Sequence, residues 1–414
     1  MEDVMKYPDL LNNFLRYVKI DTQSSEESTS FPSTKKQLDL ANLLKKELGE
    51  MKLEKVKVNK WGYVFATLKT NQTKKMPTIA LIAHLDTSPD VSGQGVKPRI
   101  HKNYQANDVV LSSKNNIVLK VKENPYLKKQ IGKTLITTDG STLLGADNKA
   151  GIAEIMSAVQ YLIKHPEIPR PNIQLLFTPD EEVGRGTEKL NLKDVKADYA
   201  YTVDGEKLGE IEDETFCADT VVITVTGVNV HPGYARNKLI NSIKVTSEIL
   251  EQFPKTSMSP ETTQKREGYV HPYTISGGVE QTTVKVLIRD FQEEGLKEKE
   301  SLLKRSVDSI AKKYPKVSID FKIIESYRNM KIILDKYPEV LEKAIEAIKR
   351  VKIRPVKNII RGGTDGARLS FMGLPTPNLF TGGLNFHSRY EWITLEDMQK
   401  ATAVIIELMK IWSE

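Results

Sequence analysis

Apolar residues along this chain follow two rhythms. One consists of short uninterrupted runs, TIALIA (78–83), IQLLF (173–177) and YAYTV (199–203), which predict strands buried on both faces of a sheet. The other is helical. KQLDLANLLKKEL repeats Leu40, Leu43, Leu44 and Leu48 on one face, and GIAEIMSAVQYLI does the same with Ile152, Ile155, Met156, Val159 and Leu162. Strands alternating with helices predict an α/β domain built on a mixed, mostly parallel sheet. LEKVKVNKWGYVFATLK predicts an antiparallel ribbon turning at Trp61-Gly62. The opening segment carries acids, has no secretory core or cleavage site, and reads as an amphipathic helix with Leu10, Leu11, Phe14, Leu15 and Val18 on one side.

The rhythm changes near Ala218. VVITVTG, a strand around Tyr269 to Ile275, TTVKVLIRDF and VSIDFKII predict four strands, and NKLINSIKVTSEILEQF and LKEKESLLKRSVDSIAKKY predict two helices. The resulting order, βαββαβ, is the split unit of ferredoxin-like α+β domains. Residues 217–326 therefore read as an insertion dividing a first domain into 1–216 and 327–414. The resumed domain should contain helices over 335–350 and 395–412, the last with a capping box between Thr394 and Asp397.

At 414 residues the chain exceeds what one hydrophobic core usually serves, in keeping with two domains. A content of 39% hydrophobic and 28% charged residues suits a folded soluble enzyme, and no apolar run reaches the length of a membrane helix. The one cysteine, Cys217, excludes an internal disulfide and fits a reducing cytoplasm. The net charge of +7 comes from scattered lysines without a nucleic-acid motif, so neither nucleic acid nor membrane is expected as a partner.

Five segments concentrate metal-ligand chemistry: AHLDT, LLGADNKAG, PDEEVG, YTVDGE and NFHSR. The first, third and fourth follow predicted buried strands, and ligands of open α/β sheets bind beyond the carboxyl ends of strands. His84, Glu181, Glu182 and Asp204 should meet on that rim, with Asp147 in a short loop before a helix starting near Asn148. Two histidines and three carboxylates suffice for two zinc ions if one carboxylate bridges. Uncompensated carboxylates gathered this closely repel one another, which itself argues for divalent cations. Asp86, one leucine beyond His84, can accept the other ring N–H and fix the tautomer. Glu181 and Glu182 are neighbours, so both cannot point alike at one ion, and one is free to act as a base.

Each fragment alone has an ordinary explanation. Asp147 could cap a helix, Asp204-Gly205 could be a turn, Glu181-Glu182 a solvated acidic pair, and His387 a surface histidine beside Arg389. Their joint placement, in a chain with six histidines, does not reduce to those explanations. His101, His165 and His271 have no ligand context.

With these segments in place, the chain resembles the co-catalytic zinc peptidase family, and within it the tripeptide aminopeptidases, relatives of carboxypeptidases, dipeptidases and aminoacylases. The resemblance runs over essentially the whole chain. Its most specific part is GADNKAG followed by PDEEVG, joined by HLDT, TVDG, GVNVHPG, RGGTDGA and GGLNFHS. It implies Asp147 as the bridging ligand, His84 and Asp204 completing one metal site, and Glu182 and His387 the other. It further implies Glu181 as general base, Asp86 as orienter of His84, His231 as a donor to the tetrahedral oxyanion, and Arg289 and Arg361 as contacts to substrate carboxylate or carbonyl groups. The inserted domain becomes a lid and dimerisation domain, and the protein a cytoplasmic homodimer in peptide catabolism.

The expected function is a metallo-aminopeptidase that removes the N-terminal residue from tripeptides, with two Zn2+ (or Co2+ or Mn2+) per subunit. A metal-activated bridging water attacks the carbonyl and a glutamate takes its proton. A dipeptidase, carboxypeptidase or deacylase would use the same residues. The chain departs from the family pattern at Glu206-Lys207, where a further glycine is expected after TVDG, which changes the bulk and charge of the pocket edge.

Overall fold

The computed structural model describes residues 7–414, and it divides into two compact units. Residues 1–6, which belong to the opening segment read above as carrying no leader, lie outside the described residues.

The first unit comprises residues up to Asp213, then Ile332–Asn358 and Thr364–Glu414. Its main sheet runs, in spatial order, Glu54–Val58, Val64–Leu68, Ile173–Thr178, Ile79–His84, Tyr199–Gly205, Asn378–Phe380, Glu210–Thr215 and Val356–Ile360. The four strands from Ile173–Thr178 to Asn378–Phe380 pair in parallel. The ribbon of Glu54–Val58 and Val64–Leu68 adds antiparallel strands on one side, as its Trp61-Gly62 turn predicted. The uninterrupted apolar runs are explained by helices on both faces. In Ile79–His84, Ile79, Leu81 and Ala83 enter one core with the helices Leu10–Tyr17, Ala146–Lys164, Pro338–Arg350 and Leu395–Ile411, while Ala80 and Ile82 enter a second with Leu369 and Leu374.

Local chemistry moved some boundaries. The helix expected from 335 starts at Pro338, because a proline fits the first helical turn and disfavours helix in the residue before it. Thr394 caps the last helix by accepting the Asp397 N–H, but the Asp397 carboxylate does not return the bond: it binds Lys133 Nζ at 2.5 Å. A three-stranded sheet of Trp392–Thr394, Leu135–Thr137 and Arg99–His101 was not anticipated, since three-residue strands are too short to show a period.

The second unit spans Glu214–Lys331 and Ile359–Gly363. Its four strands lie in the order Tyr269–Gly277, Gln281–Asp290, Cys217–Thr226 and Ser318–Tyr327, all neighbours antiparallel. Helices Ser242–Glu251 and Glu293–Lys313 cover one face, burying Val221, Ile223, Val284, Val286, Leu303 and Val307. The unit extends a few residues beyond 217–326 because polar pairs stitch its entry and exit. The Thr215 N–H binds Asn329 Oδ1, Phe216 N–H binds the Ile360 carbonyl, and Arg266 grips Glu214.

Candidate metal centre

The site is built on strand ends of the first unit. Ile79–His84 delivers His84 at its last residue, and the chain continues through Leu85 and Asp86, both fully buried. Beside it, Ile173–Thr178 leads into Pro179 and Asp180. Asp180 takes a left-handed turn (φ 58°), and its carboxylate fixes that turn by accepting Ser33 N–H, Ser33 Oγ–H and Gln37 Nε2–H. The next two amides, of Glu181 and Glu182, then donate to Asp86 Oδ1 (3.0 Å) and Oδ2 (3.1 Å). Tyr199–Gly205 supplies Asp204.

Asp147 sits at the start of Ala146–Lys164, where Asp147 and Asn148 leave helical geometry, so the regular helix begins beyond them. Gly151, one turn on, lets this helix touch the strand bearing Asp204: a Cβ there would lie 2.0 Å from the Val203 carbonyl. His387 reaches in from a loop, itself at φ 59°.

These side chains converge. His84 Nε2 lies 2.8 Å from Asp147 Oδ1 and 3.3 Å from Asp204 Oδ1. His387 Nε2 lies 2.7 Å from Glu182 Oε2 and 3.2 Å from Asp147 Oδ2. The result is two trios of ligand atoms that share Asp147, each of its oxygens facing one imidazole. Hydrogen bonding shows that cations fit here. His84 Nδ1 faces the Asp86 carbonyl at 2.9 Å, and His387 Nδ1 faces Asp90 Oδ2 at 3.2 Å. Each partner is an acceptor, so each Nδ1 carries the proton and each neutral ring would aim its Nε2 lone pair at two carboxylates. Only a proton or a metal ion relieves that arrangement. Glu182 Oε1 is likewise buried without a partner.

The electrostatics agree. Burial opposes an imidazolium at His84, but the charge of Asp204 and hydrogen bonds to Asp147, Asp204 and Asp86 carry its pKa well above the ordinary value. Against the same burial, Asp147 and Glu182 lift His387 to about 12. Burial and the Asp147 charge push Glu182 up to about 8, and burial pushes Asp204 up to about 6. Glu181 rises well above the carboxylate range through burial and the nearby Asp365, Asp204 and Glu182, with His84 opposing. Burial and mutual repulsion favour the protonated forms of Glu181, Glu182 and Asp204, and divalent ions bound here would replace those protons and return the carboxyls to their charged forms.

Asp86 faces the His84 ring with two acceptors: its carbonyl stands 2.9 Å from Nδ1 and its carboxylate Oδ1 stands 3.4 Å away, so the backbone oxygen is the closer partner. The two carboxylate oxygens are committed to the Glu181 and Glu182 amides. Thr364 caps the helix Asp365–Met372, and Asp365 is buried and accepts Thr178 Oγ1–H at 2.7 Å.

The three other predicted residues belong to the second unit. His231 is exposed, and its Nδ1 accepts the Gly233 N–H at 3.1 Å. Arg289 donates to the Asp219 and Ile288 carbonyls beside the Tyr327 ring. Arg361 donates to the Lys265 and Glu267 carbonyls and to Thr263 Oγ1, with its guanidinium over Phe216 and Tyr269. Glu206 is half-buried, its carboxylate 3.6 Å from Lys207 Nζ, and its carbonyl accepts the Gly382 N–H at the root of the His387 loop.

Sequence reasoning missed Asp180 and Glu391. Glu391 is 1% exposed and accepts three backbone N–H groups, from Leu144 (2.7 Å), Gly145 (2.8 Å) and Asp147 (3.0 Å). The one signal was position: an acid directly before the apolar Trp392-Ile393, four residues beyond His387.

Comparison with known proteins adds the lineage. A profile of Peptidase family M20/M25/M40 matches residues 138–411. The chain is 48% identical over 405 residues to Peptidase T of Caldanaerobacter subterraneus subsp. tengcongensis, covering 98% of this chain and 99% of that protein. In fold it is similar to the crystal structure of aminopeptidase PepT from Bacillus cereus (TM-score 0.75, 22% identity, 99% of each chain). It is also similar in fold to a Bacillus subtilis protein described as a dinuclear metal binding peptidase from the M20 family (TM-score 0.66, 16% identity, 99% of each chain).

Proposed function

Since the chain belongs to Peptidase family M20/M25/M40, we propose that it is an aminopeptidase that hydrolyses the N-terminal residue from tripeptides at a pair of zinc ions. The observation that carries the metal part is the shared carboxylate: Asp147 presents Oδ1 to the His84–Asp204 pair and Oδ2 to the His387–Glu182 pair. Imidazole and carboxylate donors suit zinc, with cobalt and manganese as substitutes. Likeness to Peptidase T over nearly the whole chain supports the substrate class.

His84, Asp147 and Asp204 would hold one ion, and Asp147, Glu182 and His387 the other. Bound there, the ions supply Lewis-acid polarisation of the scissile carbonyl and acidify the attacking water. Glu181, adjacent to a ligand but outside both trios, takes one proton from that water as its oxygen adds to the carbonyl carbon. The same carboxyl returns the proton to the leaving nitrogen as the C–N bond breaks, releasing an amino acid and a dipeptide. His231 accepts at Nδ1, so its proton resides on Nε2, where it can donate to an oxyanion. Arg289 and Arg361 are assigned to substrate carboxylate or carbonyl groups; Arg361 would first have to release two backbone carbonyls.

No helix of the described residues is long and apolar enough to cross a membrane. We place the enzyme in the cytoplasm as a homodimer, with the 217–326 insertion as lid and dimerisation domain. Small peptides are its partners, without nucleic acid.

A panel of di-, tri- and tetrapeptides with free and blocked termini, run alongside metal analysis, tests this reading. The expected result is cleavage of free tripeptides, abolished by chelation and by N-acetylation. Equal cleavage of N-acetylated tripeptides would reassign the chain to the carboxypeptidase or deacylase branch.

A further inference from the structure

Asp147 can serve two ions only if its two oxygens stay pointed in two directions, and it sits where its helix has lost regular geometry. What steadies the backbone there is Glu391. Oε2 accepts the Leu144 and Gly145 amides and Oε1 accepts the Asp147 amide. Gly145, at φ 80°, turns the chain so that these N–H groups converge on one carboxylate, as in an anion-binding nest. A carboxylate buried this deeply persists only with such partners, and bonds to a charged acceptor are the strong ones.

Glu391 is anchored in turn. Leu384 and Trp392 exchange both backbone hydrogen bonds (2.9 and 3.1 Å), closing the loop 384–392, and Trp392–Thr394 pairs with Leu135–Thr137. This one loop therefore carries His387, whose Nε2 lies 3.2 Å from Asp147 Oδ2, and Glu391, whose Oε1 lies 3.0 Å from Asp147 N. The side chain and the backbone of Asp147 are held by the same closed loop.

We propose that Glu391 is a positioning residue for the binuclear centre: it sets the bridging Asp147 in place before metal arrives and couples that placement to His387. The proposal rests on the two-metal reading above. It assigns no contact between Glu391 and metal or substrate.

The test is Zn2+ affinity, by chelator competition, in the full-length wild type and in Glu391→Gln and Glu391→Asp. Gln keeps the size of the side chain but sets an NH2 against a backbone N–H; Asp keeps the charge and shortens the reach. Glu391→Gln should bind Zn2+ about 10–100-fold more weakly, as for other supports of metal ligands, with Glu391→Asp between it and wild type. At saturating zinc, kcat should fall in Glu391→Gln while KM stays within about twofold, because no peptide contact is touched. Wild-type zinc affinity in whichever variant folds overturns the proposal. Hydrogen exchange on the chelated wild-type protein is an independent arm. The Leu144, Gly145 and Asp147 amides should remain protected without metal, and free exchange at these three overturns the proposal whatever the variants do. A wild type that binds no zinc would instead remove the two-metal reading itself.

Discussion

Asp86 holds Glu181 by its backbone: Oδ1 accepts the Glu181 N–H at 3.0 Å while Oδ2 takes the Glu182 N–H at 3.1 Å. One buried carboxylate thereby sets the candidate base and a candidate metal ligand at once, and its own carbonyl faces His84 Nδ1. Asp86→Asn leaves one acceptor for two amides and faces the other with an NH2. Metal affinity or kcat/KM should fall by about 100-fold, the upper range for loss of a ligand's support. Steady-state kinetics with chelator competition check this, and a variant within threefold of wild type on both would show that the loop holds without Asp86.

Glu181 is expected to separate chemistry from metal binding. Glu181→Gln leaves both ligand trios intact, so two zinc ions should be retained while kcat drops by about 10²–10⁴-fold. Metal analysis and turnover on one preparation decide it. Loss of zinc together with rate would make Glu181 a ligand instead, and near-normal turnover would remove it as the base.

The parts of this molecule that were legible in its sequence share a cause. Ile79–His84, Ile173–Thr178 and Tyr199–Gly205 are buried on both faces, so burial writes an apolar run, and side chains such as His84 and Asp204 interrupt it at the strand ends. Glu391 was not legible because its partners are backbone amides, which every residue but proline carries and which leave no pattern of residue types. Asp180 was not legible because Ser33 and Gln37, which hold its carboxylate, lie 147 and 143 residues away in the chain. The role of Asp86 was half read for the same reason: a histidine two residues away is visible in sequence, but amides 95 and 96 residues away are not. Whether Arg289 and Arg361 bind substrate was likewise beyond spacing, since both guanidinium groups meet carbonyls that only the folded second unit brings near.

Gly151 tests how tightly the helix of Asp147 is seated on the strand of Asp204. A Cβ at Gly151 would stand 2.0 Å from the Val203 carbonyl and 2.4 Å from Asn148 Oδ1, and the carbonyl, being backbone, cannot swing aside. Gly151→Ala should destabilise the protein by about 3 kcal/mol, the upper range for overpacking. It should also weaken zinc binding, because the helix can move only by carrying Asp147 away from Asp204. Denaturant unfolding and chelator competition measure the two effects. Wild-type stability would mean that the helix slides freely on the sheet.

Glu212 offers a pH test away from the ligands. It lies in Glu210–Thr215 opposite Asn378, whose Nδ2 donates to Glu212 Oε2 at 2.6 Å, while Asn378 Oδ1 is buried without a partner. Burial pushes the Glu212 carboxyl up to about 8, with the Asn378 bond opposing and Glu210, Asp204 and Glu206 adding to the rise. The folded protein thus keeps a proton that the unfolded chain releases near its ordinary pKa of about 4.3. Between those values the native state binds more protons than the unfolded one, so the stability Glu212 contributes is complete below the unfolded value and is lost as pH climbs toward 8. The slope is at most about 1.4 kcal/mol per pH unit. Glu212→Gln cannot ionise, and its amide can accept from Asn378 Nδ2 while donating to the vacant Oδ1. Melting curves of wild type and Glu212→Gln, both chelated, should therefore diverge from pH 5 to pH 8 in favour of the variant, by roughly 1–2 °C for each kcal/mol in a chain of this length. Parallel curves across that range would mean that Glu212 is already ionised in the folded state.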